Sequence, residues 1–178
     1  AAGAGTAADL AATVTVDAST NTGGFTMTSE ANTLTFTGGV GDDSVYMVGT
    51  LTSADTLAGG DGTDVIGITT AVTAANGAGV SGFETIDISG ANSATINLNN
   101  FANNTFTGIL ITEETATETV QNIASGSTVT IGGGATAITA ATDLTATVKN
   151  AGIAGHNSDS LNFAIVGTVA VDVGTLVV

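Results

Sequence analysis

The chain has 178 residues, sixteen of them acidic against one lysine (Lys149) and no arginine, for a net charge of −15. Nucleic acid, anionic lipid headgroups and acidic polysaccharides are bound through Lys or Arg, so this balance makes all three poor partners. Without cysteine there are no disulfides, no apolar run reaches the roughly 18 residues of a membrane span, and 43% apolar content argues against intrinsic disorder.

The chain is rich in Thr and β-branched aliphatics, which favour strands, while Gly and Asn punctuate them. Strands are expected at Thr13–Asp17, Phe25–Ser29 and Thr33–Thr37. A glycine turn follows, Gly38-Gly39-Val40-Gly41-Asp42-Asp43, leading into a strand over Ser44–Val48. The nonamer Thr50 to Ala58 has lost its glycines but keeps Asp55 and Leu57 at matching offsets. A second turn, Gly59-Gly60-Asp61-Gly62-Thr63-Asp64, leads into Val65–Thr69. The segment Ala71–Gly79 is the nearest approach to a helix, and its Thr, Asn and Gly make it a poor one. Further strands are expected at Glu84–Ser89, Ala94–Asn99, Thr107–Thr112, Thr119–Ile123, Thr128–Gly132, Thr136–Thr139, Leu144–Lys149, Leu161–Val166 and Val169–Val173. Their recurring unit is a pair of apolar residues flanking one small or polar residue, such as Leu34/Phe36, Ile86/Ile88, Ile109/Ile111 and Val129/Ile131, which puts both apolar side chains on one face.

The two glycine turns fit the nonapeptide G-G-x-G-x-D-x-U-x, with Val45 and Ile66 at the apolar U position, a pattern tied to calcium-loaded parallel β-helices. They lie 21 residues apart, two nonapeptides plus three. If two nonapeptides make one coil, the turns stack on one side and the extra residues, Met47 to Gly49, bulge on the other. Stacking brings the Asp43 and Asp64 carboxylates within about 4.8 Å of each other. Two charges at that distance repel by about 0.8 kcal/mol in water and by more in a partly buried slot. A cation between them reverses the sign. Calcium takes six to eight oxygens, backbone carbonyls included, and glycine lets the turn present its carbonyls inward. A single such turn would read as a flexible surface loop; two copies one coil apart point to calcium.

Residues 34–98 resemble the hemolysin-type (RTX) calcium-binding repeat family, and within it bacterial surface-layer proteins and large adhesins. The likeness rests on Asp55-Thr56-Leu57-Ala58-Gly59-Gly60-Asp61-Gly62-Thr63-Asp64-Val65-Ile66 followed by Gly82-Phe83-Glu84-Thr85-Ile86-Asp87-Ile88. The resemblance implies carbonyl ligands from Gly38, Val40, Gly60 and Gly62 and carboxylate ligands from Asp43 and Asp64, with Asp42 and Asp61 adding a carbonyl or deepening the negative field. It also implies type I secretion, folding triggered by external calcium, and assembly on the cell exterior. Two intact turns are few for the family, which weakens a role as a pure secretion module. Asp172 to Val178 reads as a core strand in preference to an export signal. Ala1 at the start suggests a processed chain or an excised segment, so the lack of a cleavable leader says little about export.

Other chemistry finds little support. His156 is the only imidazole, so neither a histidine metal cluster nor a catalytic triad is available, and Ser158 and Asp159 read as a solvated turn. Glu113, Glu114 and Glu118 read as a solvated edge in preference to a glycosidase pair, and no phosphate loop is present. Thr-x-Thr pairs (Thr13/Thr15, Thr26/Thr28, Thr33/Thr35, Thr128/Thr130, Thr145/Thr147) raise an ice-binding face, but their irregular spacing favours ordinary outward-facing strand residues.

The expectation is therefore an all-β, right-handed parallel β-solenoid (β-roll or β-helix) with calcium-binding Gly/Asp turns, a β-sandwich being the alternative. Residues 1–33 form N-terminal coils, 34–70 the calcium-binding β-roll and 71–178 a continuing solenoid. The expected role is a non-enzymatic structural segment of a secreted, calcium-stabilised surface-layer protein. It would bind calcium and copies of itself outside the bacterial cell, without membrane insertion. An RTX adhesin or ice-binding module is the alternative.

Overall fold

In the computed structural model the described residues are 5–7, 13–30, 33–89, 95–113, 118–132, 143–149, 159–166 and 172–177. They form three sheets in which every strand pair is parallel. That excludes the β-sandwich, whose hairpins need antiparallel pairs. The chain is a parallel β-solenoid.

The strands, in chain order, are β1 (Gly5–Ala7), β2 (Thr13–Asp17), β3 (Thr26–Ser29), β4 (Thr33–Thr37), β5 (Ser44–Met47), β6 (Thr56–Ala58), β7 (Val65–Ile68) and β8 (Val80–Ser81). Then come β9 (Thr85–Ser89), β10 (Thr95–Asn97), β11 (Gly108–Glu113), β12 (Glu118–Ile123), β13 (Thr128–Gly132), β14 (Asp143–Val148), β15 (Asn162–Val166) and β16 (Asp172–Val177). All the odd-numbered strands stack in sequence order into one eight-stranded sheet. Opposite it, β2, β4, β6 and β8 serve the early coils, and β10, β12, β14 and β16 the later ones.

Parallel register stacks like on like. Met27, Val45, Ile66, Ile86, Ile109 and Val129 form one inward ladder. Met47, Ile68, Ile88, Ile111 and Ile131 form a second, and all of these residues are buried. From the opposite wall Phe36, Leu57 and Val80 complete the early core, and Ile96, Val120 and Ala146 the later one. Each buried side chain of this size stabilises the fold by about 1.5–3 kcal/mol. The paired apolar residues expected to face inward do so through β13. In β15 they do not: Phe163 and Ile165 continue the ladders in register but remain exposed.

Strand boundaries differ from expectation where side-chain chemistry intervenes. The strand expected over Ala94–Asn99 ends at Asn97, because Asn97 accepts the Asn99 N–H at 3.1 Å and turns Leu98–Asn100 into a 3-10 helix. Ala71–Gly79 yields only one helical turn, α1 (Ala74–Gly77), capped by Thr73. Within β6 and β8 only Leu57 and Val80 are buried, so those strands carry no paired signature. The strand expected at 136–139 lies outside the described residues, as does 169–171, while β16 runs further along the chain, to Val177.

Candidate functional site

The two glycine turns form the corner through which β4 and β6 pass into β5 and β7, and they lie one coil apart. The Asp61 N–H donates to Gly39 O at 2.9 Å, the Val65 N–H to Asp43 O at 2.8 Å and the Thr63 N–H to Asp42 Oδ1 at 2.8 Å. The backbone leaves little choice of residue. Gly60 has φ +108°, a region that side chains resist, and a Cβ on Gly38 would lie 1.7 Å from Gly59 O. The bend at Val48 and Gly49 falls at the other end of β5, where the surplus residues were expected.

Both aspartates that end the turns are completely buried. Asp43 accepts the Phe25 N–H on Oδ1 at 2.7 Å and the Gly39 N–H on Oδ2 at 2.9 Å. Asp64 accepts the Asp43 N–H on Oδ1 at 2.7 Å, and Glu84 accepts the Asp64 N–H at 3.0 Å. The Phe83 N–H reaches Asn104 Oδ1 at 3.0 Å. Each acid or amide thus captures an amide of the preceding coil, a staircase running the height of the corner. Hydrogen bonds to charged acceptors contribute about 1.5–3 kcal/mol each. Asp55 does the same at another corner, accepting the Leu34 N–H and Thr52 N–H at 2.7 Å each and the Thr52 hydroxyl at 3.0 Å.

Sequence reasoning found Asp43 and Asp64 but not Glu84 or Asn104 as members of this corner. Their signal is a step of 20 or 21 residues between an acid or amide and the amide it captures. It was hidden because the glycine pattern has gone by that coil.

One oxygen of the staircase has no partner. Asp64 Oδ2 is buried and accepts no hydrogen bond. Burial pushes the Asp64 carboxyl up to about 6; the bond from the Asp43 N–H pulls the other way, and the negative charges of Asp43, Glu84 and Asp42 add to the rise. An uncompensated buried charge is costly, and a cation offsets it. The carbonyls of Gly38, Val40, Gly60 and Gly62 accept no hydrogen bond from any described residue. These carbonyls and Asp64 Oδ2 are hard oxygens, the ligand type calcium takes.

The carboxylate contribution is narrower than expected from sequence. Among the described residues no group of three or more His, Cys, Asp or Glu side chains is arranged to hold a metal. Both Asp43 oxygens already serve backbone amides, Asp42 Oδ1 serves Thr63, and Asp61 is exposed on the rim. A calcium ion here would take Asp64 Oδ2 as its anionic ligand and turn carbonyls for the rest of its shell. Such an ion would supply positive charge where the chain concentrates negative charge.

The turn expected around Ser158 and Asp159 falls largely outside the described residues, 154–158 with His156 included, and so does Glu114. Asp159, at its end, has a buried Oδ2 without a partner. On the outer face of the eight-stranded sheet Tyr46 packs over Gly67, whose Cβ would meet the ring at 2.3 Å, and Asp87 accepts the Thr112 hydroxyl at 2.6 Å. Burial, then the nearby Asp87 charge, raises the Tyr46 phenol above its ordinary value. Tyr46 and Asp87 therefore belong to the packing of that face. No family model, curated protein or solved structure matches the chain.

Proposed function

We propose that this chain is a structural segment of a secreted bacterial surface-layer protein, held rigid by calcium and assembling with its own copies on the cell exterior. The observation that carries the reading is the orphaned Asp64 Oδ2 beneath stacked glycine turns, in a solenoid with a net charge of −15. Self-repulsion at that charge opposes a compact state, and a bound divalent ion relieves it. In this reading the fold is weakened where calcium is scarce and is held by the millimolar calcium found outside cells. No catalytic step is assigned to it. Electron microscopy of the protein with calcium and with chelator tests the reading. Ordered sheets or filaments that form only in calcium support it; dispersed particles in both conditions count against it.

A second reading, an ice-binding adhesin module, gains one observation. On the wall built from β2, β4 and β6, Thr13 pairs with Thr33, and Thr15, Thr35 and Thr56 stand in one row. Thr26, Thr28, Thr128 and Thr130 lie on the eight-stranded sheet and Thr145 on the third, so the array stays small. Thermal hysteresis of the calcium-loaded protein distinguishes the two.

A further inference from the structure

Lys149, the only lysine in a chain without arginine, follows β14 and donates its N–H to Ile123 O at 2.7 Å. That bond sets it at the rim of a cleft of about 70 Å³ shared by three successive coils. Leu98 and Phe106, both buried, line the cleft together with Asn99, Thr105 and Asn122. A single water takes about 10–15 Å³ by this measure, so the space suits the end of one carboxylate side chain.

Two features set this cleft apart from a surface dimple. Asn122 has φ 61°, and among the described residues no other non-glycine has a positive φ. Backbone of that kind is costly and persists where surrounding contacts impose it. Here Asn122 Nδ2 donates to Asn97 Oδ1 at 2.8 Å, a bond that fixes the Asn122 side chain at the wall of the cleft. The second feature is electrostatic. No described residue forms an ion pair with Lys149, and sixteen acidic residues share the chain with it. A copy of this protein approaching another meets repulsion almost everywhere and attraction at this ammonium.

We propose that the cleft receives an aspartate or glutamate carboxylate from a second copy of the chain, with Lys149 as its counter-charge and the Asn99 amide and Thr105 hydroxyl as further donors. This rests on the self-assembly reading above and gives that assembly a polar contact with a defined acceptor.

Because Lys149 is the only lysine, lysine isotopically labelled at its ε position gives one reporter resonance per chain. In calcium, that resonance is expected to move as protein concentration rises, in step with assembly followed by sedimentation, and added sodium chloride should reverse the change. Lys149→Gln should raise the concentration needed for assembly roughly tenfold, whereas Lys149→Arg should restore it. Both variants should keep the wild-type circular dichroism. Wild-type assembly with an unmoved resonance and an unchanged Lys149→Gln threshold overturns the docking proposal while leaving self-assembly standing. A wild-type chain that stays monomeric in calcium overturns both. A resonance that responds to sodium acetate at high dilution, but not to protein concentration, assigns the cleft to free carboxylates and also overturns the second-copy contact.

Discussion

Asp64 carries two roles on its two carboxylate oxygens: Oδ1 closes the preceding coil by taking the Asp43 N–H, and Oδ2 is left buried and alone. Its folded-state value of about 6 lies above the ordinary 3.8, so between those values the native state holds more protons than the unfolded chain. This contribution to stability is therefore fully present below 3.8 and is lost as pH rises through about 6. In chelator, the melting temperature should fall as pH is raised from 4 to 7, and Asp64→Asn should flatten much of that slope by removing the titrating group. An equal slope in both proteins would assign the effect to other carboxylates. Asp64→Ala also strips the cap from the Asp43 amide and should cost about 1–3 kcal/mol in chemical denaturation. Glycines at the same corner separate by their surroundings. Gly38→Ala drives a Cβ to 1.7 Å from Gly59 O and should cost about 1–3 kcal/mol or more. Gly23→Ala meets nothing within 4 Å and should change stability by less than about 0.5 kcal/mol.

Strands in this chain are short, and each gains its stability from the strands above and below it in register. Ile111 and Ile165 occupy the same inward ladder through Ile131, yet Ile111 is 2% exposed and Ile165 58%. Ile111→Ala should cost about 2–5 kcal/mol in equilibrium denaturation. Ile165→Ala should cost under about 0.5 kcal/mol, because little of its surface is removed from water. Similar losses at both positions would mean that β15 is covered in solution. Most strands were legible because a pair of apolar residues two apart, such as Ile109 and Ile111, needs no partner to be recognised. The β6 and β8 strands were not, since one buried residue apiece, Leu57 or Val80, gives no period. The end of β10 was misplaced because Asn97 captures an amide two residues on, a local bond that the apolar pattern at Ile96 and Leu98 does not encode.

Across the whole molecule the glycine turns announced both the coil length and the stacking, since like corners recur where Gly38 and Gly59 do and the register carries Ser44 onto Val65. The bonding inside the corner was less legible. A turn that reads as a cation cradle also needs its amides capped, and Asp43 is given over to that task. Sequence spacing alone does not distinguish a carboxylate facing a metal from one facing a backbone N–H. The unpartnered Asp64 Oδ2 keeps the cation in the proposal. Calcium linkage should then act on the whole solenoid, because unfolding one corner exposes the ladders above and below it. Far-UV circular dichroism melting at pH 7, in millimolar calcium and in chelator, should give a midpoint several degrees higher with calcium for the wild-type chain and little or no difference for Asp64→Asn. Superimposable wild-type curves in the two conditions would mean that no cation joins the stacked turns.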